Sequence, residues 1–147
     1  MARILVAEDD AGVRLLTARA LRLDGHQVDV AEDGEDALER IVEADGAYDL
    51  VLSDIRMPAM TGIELAHAAH AGFPGLPVLL MTGFAEQREA ADDLVSIICG
   101  VVDKPFTVAD IRLRVAQALL SAANRPHPQG EPRSEASPQP ERLRRYG

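Results

Sequence analysis

The sequence predicts an α/β fold, a doubly wound (βα)5 parallel sheet, on three observations. Short β-rich runs alternate five times with helical patterns through residues 1–120, as strands of a parallel sheet and their crossover helices do. Runs such as Ile4-Leu5-Val6-Ala7 and Leu50-Val51-Leu52 are continuously apolar, which is expected of strands covered on both faces. The runs also finish in polar or acidic residues, at the sheet end where open α/β folds place their ligand crevice.

The elements follow in order. Ile4–Ala7 is the first strand, and Asp10 is positioned to cap a helix over Ala11–Leu23 with Val13, Leu16, Ala20 and Leu23 on its core stripe, stopped at Asp24-Gly25. Gln27–Ala31 alternates Val28 and Val30 with polar neighbours and reads as an edge strand. Asp33 caps a second helix to about Ala44, with Ala37, Leu38, Ile41 and Val42 inward, and the acidic start Asp33-Gly34-Glu35-Asp36 suits the helix dipole. Leu50–Leu52 is the third strand and runs into Ser53-Asp54. Thr61-Gly62-Ile63-Glu64 has the spacing of a capping box and opens a helix to about Ala71. Pro77–Met81 is the fourth strand, Glu86–Leu94 a short polar helix, Ile97–Val102 a last strand broken by Gly100, and Thr107–Leu120 a final helix. Cys99 is expected in the core of that last strand.

Charge separates the chain into two materials. Residues 1–120 carry 21 acids and 10 bases, net −11, whereas residues 121–147 carry 3 acids and 5 arginines, net +2. The second segment holds five of the nine prolines and few large apolar side chains, so it is expected to be a disordered tail, a tether or docking segment. The overall charge of −9 argues against direct nucleic-acid binding, and no run is long and apolar enough to suggest a membrane span. One cysteine forms no internal disulfide, and no secretory signal follows Met1, so a cytoplasmic location is expected. Among 15 basic residues Lys104 is the sole lysine. His26, His67, His70 and His127 show no ligand spacing, and Phe106 reads as packing.

The strand ends carry the chemistry. The first finishes in Glu8-Asp9-Asp10, the third in Asp54, the fourth in Thr82 and the fifth in Asp103-Lys104-Pro105. If the first, third and fifth strands lie close, several carboxylates and one ammonium converge, and such a cluster calls for a hard divalent cation such as Mg2+. A carboxylate beside a cation, a hydroxyl and an ammonium is equipped to accept a phosphoryl group.

These residues resemble the receiver domains of two-component response regulators. The resemblance rests on Ile4 through Asp10, on Leu52-Ser53-Asp54-Ile55-Arg56-Met57-Pro58 with Gly62 following, on Met81-Thr82-Gly83, and on Lys104-Pro105-Phe106, in that order over about 120 residues. It implies a flavodoxin-like sheet of strand order 2-1-3-4-5, with Asp54 as phosphoacceptor. It implies a Mg2+ site made by Glu8, Asp9, Asp54 and the main-chain carbonyl of Arg56, and roles for Thr82 and Lys104 at the phosphoryl group. Asp10 is similar to a helix cap, and the Lys104–Pro105 bond is expected to be cis. The implied partners are a histidine kinase or phosphotransfer protein and a downstream protein bound at the face of the fourth helix, fifth strand and fifth helix; a homodimer is compatible with the sequence. The start of the chain and Thr82-Gly83-Phe84 further resemble the CpdR group of alphaproteobacterial single-domain regulators, which adapt substrates to a protease, although Ala85 to Asp103 departs from that group.

The chain departs from the family in two respects. Val101 stands where an aromatic switch residue is usual, so signalling is expected to run through Thr82 and the loop at Gly83-Phe84-Ala85. Arg56 and Phe84 are bulky at the two positions that gate hydrolytic water, so a long phosphorylated lifetime is expected. Two rivals remain at this point: a Mg2+-dependent phosphatase with Asp54 as nucleophile, which lacks the usual acid two residues on because Arg56 is there, and an unphosphorylated scaffold.

Overall fold

The computed structural model describes residues 1–83 and 85–123. The tail expectation for residues 124–147 and the expectation for Phe84 lie outside the described residues. Five strands, β1 (Arg3–Ala7), β2 (Gln27–Ala31), β3 (Leu50–Asp54), β4 (Val78–Thr82) and β5 (Gly100–Asp103), alternate with helices α1 (Ala11–Leu23), α2 (Gly34–Glu43), α3 (Gly62–Gly72), α4 (Ala85–Asp92) and α5 (Val108–Ala123). All neighbouring strands pair in parallel, in the order β2-β1-β3-β4-β5. The strands β3 and β4, apolar through Leu52 and Met81 before their polar ends, are buried throughout, as a sheet covered on both faces requires.

Side chains alternate between two cores. Leu5, Val51 and Leu80 join Ile41, Leu65 and Ala91 from the helices α2, α3 and α4, while Ile4, Leu52 and Leu79 join Leu21 and Ile111 from α1 and α5. The helix starts are fixed locally. Asp10 and Asp33 accept from the backbone N–H of Val13 and Asp36, Thr61 and Glu64 form the reciprocal capping box, and Thr107 and Asp110 bond reciprocally in the same way.

Five expectations need correction. The buried face of α1 is Thr17, Ala18, Ala20 and Leu21, with Leu16 and Leu23 exposed, because small side chains let this helix lie close to β1, β2 and α5, and apolarity alone does not place a leucine on that face. On α2, Val42 is 60% exposed although Ala37 and Ile41 are fully buried. The last strand begins at Gly100, since Ile97 and Ile98 donate to the Leu94 carbonyl in a turn that continues from α4. Cys99 therefore sits just outside the strand, half-buried, with its N–H and Sγ both on the Val78 carbonyl. Finally, α5 continues three residues past the expected end at Leu120.

Candidate functional site

The sheet register aligns the site. Ala7 pairs with Ser53, Asp54 with Met81 and Thr82 with Asp103, so Glu8, Asp54, Thr82 and Lys104 all emerge at the carboxyl end of the central strands. The strand β1 delivers Glu8 fully buried, β3 delivers Asp54 at 6% exposure and β4 delivers Thr82 at 2%. Beyond β3 the chain turns back so tightly that a Cβ on Gly62 would lie 2.2 Å from the Asp54 carbonyl oxygen, and only a residue without a side chain fits there. The Gly62 N–H donates to the Ile55 carbonyl, which fixes the loop holding Asp54.

Lys104 supplies the positive charge. Its Nζ lies 2.8 Å from Glu8 Oε1 and 3.2 Å from Asp54 Oδ2, and the Lys104–Pro105 bond is cis. Glu8 also accepts from the Asp10 N–H, while its own carbonyl accepts from Arg14. Carboxylate oxygens of Glu8, Asp9 and Asp54 all lie within 4.8 Å of one another. Burial pushes the Glu8 carboxyl above its ordinary 4.5; the Lys104 hydrogen bond opposes the shift and the Asp54 charge adds to it. Asp9, although at the surface, is raised above 3.8 by partial desolvation and by its hydrogen bond and repulsion with Glu8. Burial works to lower the Lys104 pKa, yet its hydrogen bond to Glu8 and the charges of Asp54 and Glu8 raise it above 10.5. Three carboxylates against one ammonium leave a formal deficit of two positive charges. These oxygen donors fit a hard divalent cation in both charge and ligand type.

Thr82 is occupied elsewhere. Its hydroxyl donates to Gln87 Oε1 at 2.9 Å, and the same oxygen accepts from the Gly83 N–H at 3.2 Å. Gln87 was not singled out in the sequence; its only signal is its place on the first turn of the helix that follows Thr82. Arg56 is exposed in the loop after β3. Val101 is buried in β5, in the core shared with Ala91 and Leu94.

The model of the response regulator receiver domain family matches residues 4–116. The chain belongs to the response regulator receiver family. As a receiver domain it is a phosphoacceptor switch of two-component signalling, and such domains are phosphorylated by histidine kinases and act on partner proteins. The receiver protein CpdR of Brucella abortus is 37% identical over 122 residues, covering 83% of this chain and 100% of the relative. The regulatory protein AtoC of Escherichia coli is 37% identical over 120 residues, covering 80% of this chain and 25% of that protein. Among solved structures, the Thermotoga maritima response regulator TrrA, in complex with Mg2+ and BeF, matches with a TM-score of 0.71 at 31% identity, over 80% of this chain and 99% of that one. The receiver fold is likewise shared with the chemotaxis regulator CheY4 of Vibrio cholerae, at a TM-score of 0.72 and 26% identity, over 80% and 98% of the two chains. Among the described residues no helix is long and apolar enough to cross a membrane.

Proposed function

We propose that this receiver domain accepts a phosphoryl group on Asp54 from a phosphohistidine donor and passes the signal on by protein binding. The observation that carries the reading is the nearly buried Asp54 carboxylate, 3.2 Å from the lone lysine ammonium and grouped with Glu8 and Asp9. An Asp54 oxygen attacks phosphorus in line; the new P–O bond forms as the P–N bond to the donor imidazole breaks, and the imidazole leaves with the electron pair. Lys104 moves its charge from the carboxylate to the phosphoryl oxygens, and Thr82 donates its hydroxyl proton to one of them. Glu8, Asp9, Asp54 and the Arg56 carbonyl would hold Mg2+, which when bound neutralises charge on the transferring group; the complex formed by TrrA with Mg2+ and BeF supports that choice.

Residues 1–120 act as the receiver and the Pro- and Arg-rich segment beyond as a tail, working in the cytoplasm where a phosphohistidine donor is met. The output surface is the face of α4, β5 and α5. It contains a groove of about 380 Å³ with Ala91, Val95, Ile98 and Val101 among its apolar lining and Arg88 and Arg114 at its polar side. The phosphorylated form is long-lived, because bulky Arg56 and Phe84 stand in the sequence at the two positions that gate hydrolytic water in the family. Incubation with acetyl phosphate and Mg2+ followed by intact mass tests the assignment: a gain of about 80 Da that disappears in Asp54→Asn supports it, and no gain in the unaltered chain refutes it.

A further inference from the structure

The bond between Thr82 and Gln87 has a direction that the geometry fixes. A backbone N–H can only donate, so the Gln87 atom facing the Gly83 N–H is the amide oxygen. The Thr82 hydroxyl lies 2.9 Å from that same oxygen, and between two oxygens the hydroxyl must be the donor. A hydroxyl has one proton. While Gln87 holds it, Thr82 has none to give to a phosphoryl oxygen on Asp54.

We infer that Gln87 is a positioning residue that competes with the phosphoryl group for the single hydroxyl proton of Thr82, an inference that rests on Asp54 being the acceptor. Thr82 closes β4 and Gln87 stands on the first turn of α4, so turning the hydroxyl toward a phosphoryl oxygen removes one of the two bonds that tie Gln87 to the end of β4, leaving the one from the Gly83 N–H. The next residue, Arg88, reaches across to Asp103 at the end of β5 with an Nη1–Oδ1 distance of 2.6 Å. Release at Gln87 therefore reaches the α4–β5 face through adjacent side chains, with no aromatic ring needed at Val101. The half-buried Gln87 oxygen is rehydrated when Thr82 leaves, which keeps the competition modest.

Calorimetric titration of the full chain with beryllofluoride in the presence of Mg2+ tests this. Gln87→Ala is expected to bind about fivefold more tightly than the unaltered chain, the effect of one neutral hydrogen bond no longer broken on binding. Gln87→Glu is expected to bind more weakly, because a carboxylate holds the hydroxyl proton harder and adds charge beside the anion. The gain from Gln87→Ala should vanish in a Thr82→Ala background, which a merely structural role for Gln87 would not produce. Equal affinity for Gln87→Ala and the unaltered chain, or the same gain with Thr82→Ala, overturns the inference while leaving the acceptor assignment intact. Absence of binding by every form, the unaltered chain included, overturns both.

Discussion

Lys104 and Arg112 each reach back across most of the domain, over 96 and 88 residues, to a carboxylate near the start of the chain. Arg112 holds Asp24 at the end of α1 with its Nε within 3.0 Å of both oxygens and its Nη2 on Oδ1. That pair lies at the surface, with 48% of the arginine side chain exposed, whereas the Glu8 side chain under Lys104 is 1% exposed. The two acids respond oppositely. The hydrogen bond from Arg112 holds Asp24 below its ordinary 3.8, while burial pushes Glu8 above 4.5 despite its own cation. A pair in water relaxes toward its best geometry and contributes little. A pair withdrawn from water between a second and a third carboxylate remains under-compensated, and the folded state carries that cost, which on the proposed function an incoming cation and phosphoryl group would relieve.

Breaking the inner pair should have the largest effect. Lys104→Ala leaves Glu8 and Asp54 facing each other without their ammonium; phosphoryl acceptance from acetyl phosphate is expected to fall at least about a hundredfold. Folding stability should fall by about 2 kcal/mol, and thermal melts should show millimolar Mg2+ restoring much of it. Gly62→Ala disturbs the same pair without touching a charge. Its methyl group would press on the Asp54 carbonyl, and a loss of about 3 kcal/mol in urea unfolding is expected, with slowed phosphoryl acceptance as the β3 end shifts. Asp54→Asn removes one of the crowded charges and should raise stability by about 1 kcal/mol in Mg2+-free buffer; a destabilised variant would contradict the crowding.

The outer pair should yield the smallest change. Arg112→Gln is expected to leave the unfolding midpoint almost unchanged at neutral pH, and to change it still less in high salt. The pH signs separate the pairs further. A depressed Asp24 contributes stability that is present above its ordinary 3.8 and is lost as pH falls through its folded value, so Arg112→Gln should flatten the acid limb of the stability curve. A raised Glu8 contributes in the other direction: its share is complete below 4.5 and is lost as pH rises through its folded value. In Mg2+-free buffer Glu8→Gln should therefore flatten the curve on the side above 4.5, as chemical unfolding at a series of pH values would show.

The strands were legible because apolar runs such as Leu50–Leu52 end abruptly in Asp54, and one rule of α/β sheets then brings such ends together. The residues at those ends thus gathered as expected, Lys104 with Glu8 and Asp54 most directly. Less legible was which side of a helix faces inward. On α1 the leucines attract attention, yet the core accepts Ala18 and Thr17 because close approach to the sheet favours small side chains over apolar ones. Ile97 and Ile98 resemble a strand because an apolar run carries no record of its own dihedral angles. Gln87 was illegible for another reason: a glutamine on a polar helix has no pattern, and its partnership with Thr82 exists only once β4 and α4 are placed.

The lone lysine has a practical meaning. Acylation, ubiquitin attachment or any reagent that seeks an ε-amine has one address in this chain, and it is the Nζ that touches Glu8 and Asp54. An acyl group there would abolish the charge beside Glu8 and Asp54, so under the proposed function lysine modification and signalling would compete for a single nitrogen. The rate at which an amine-reactive dye labels that nitrogen is thereby a direct gauge of whether the site is occupied.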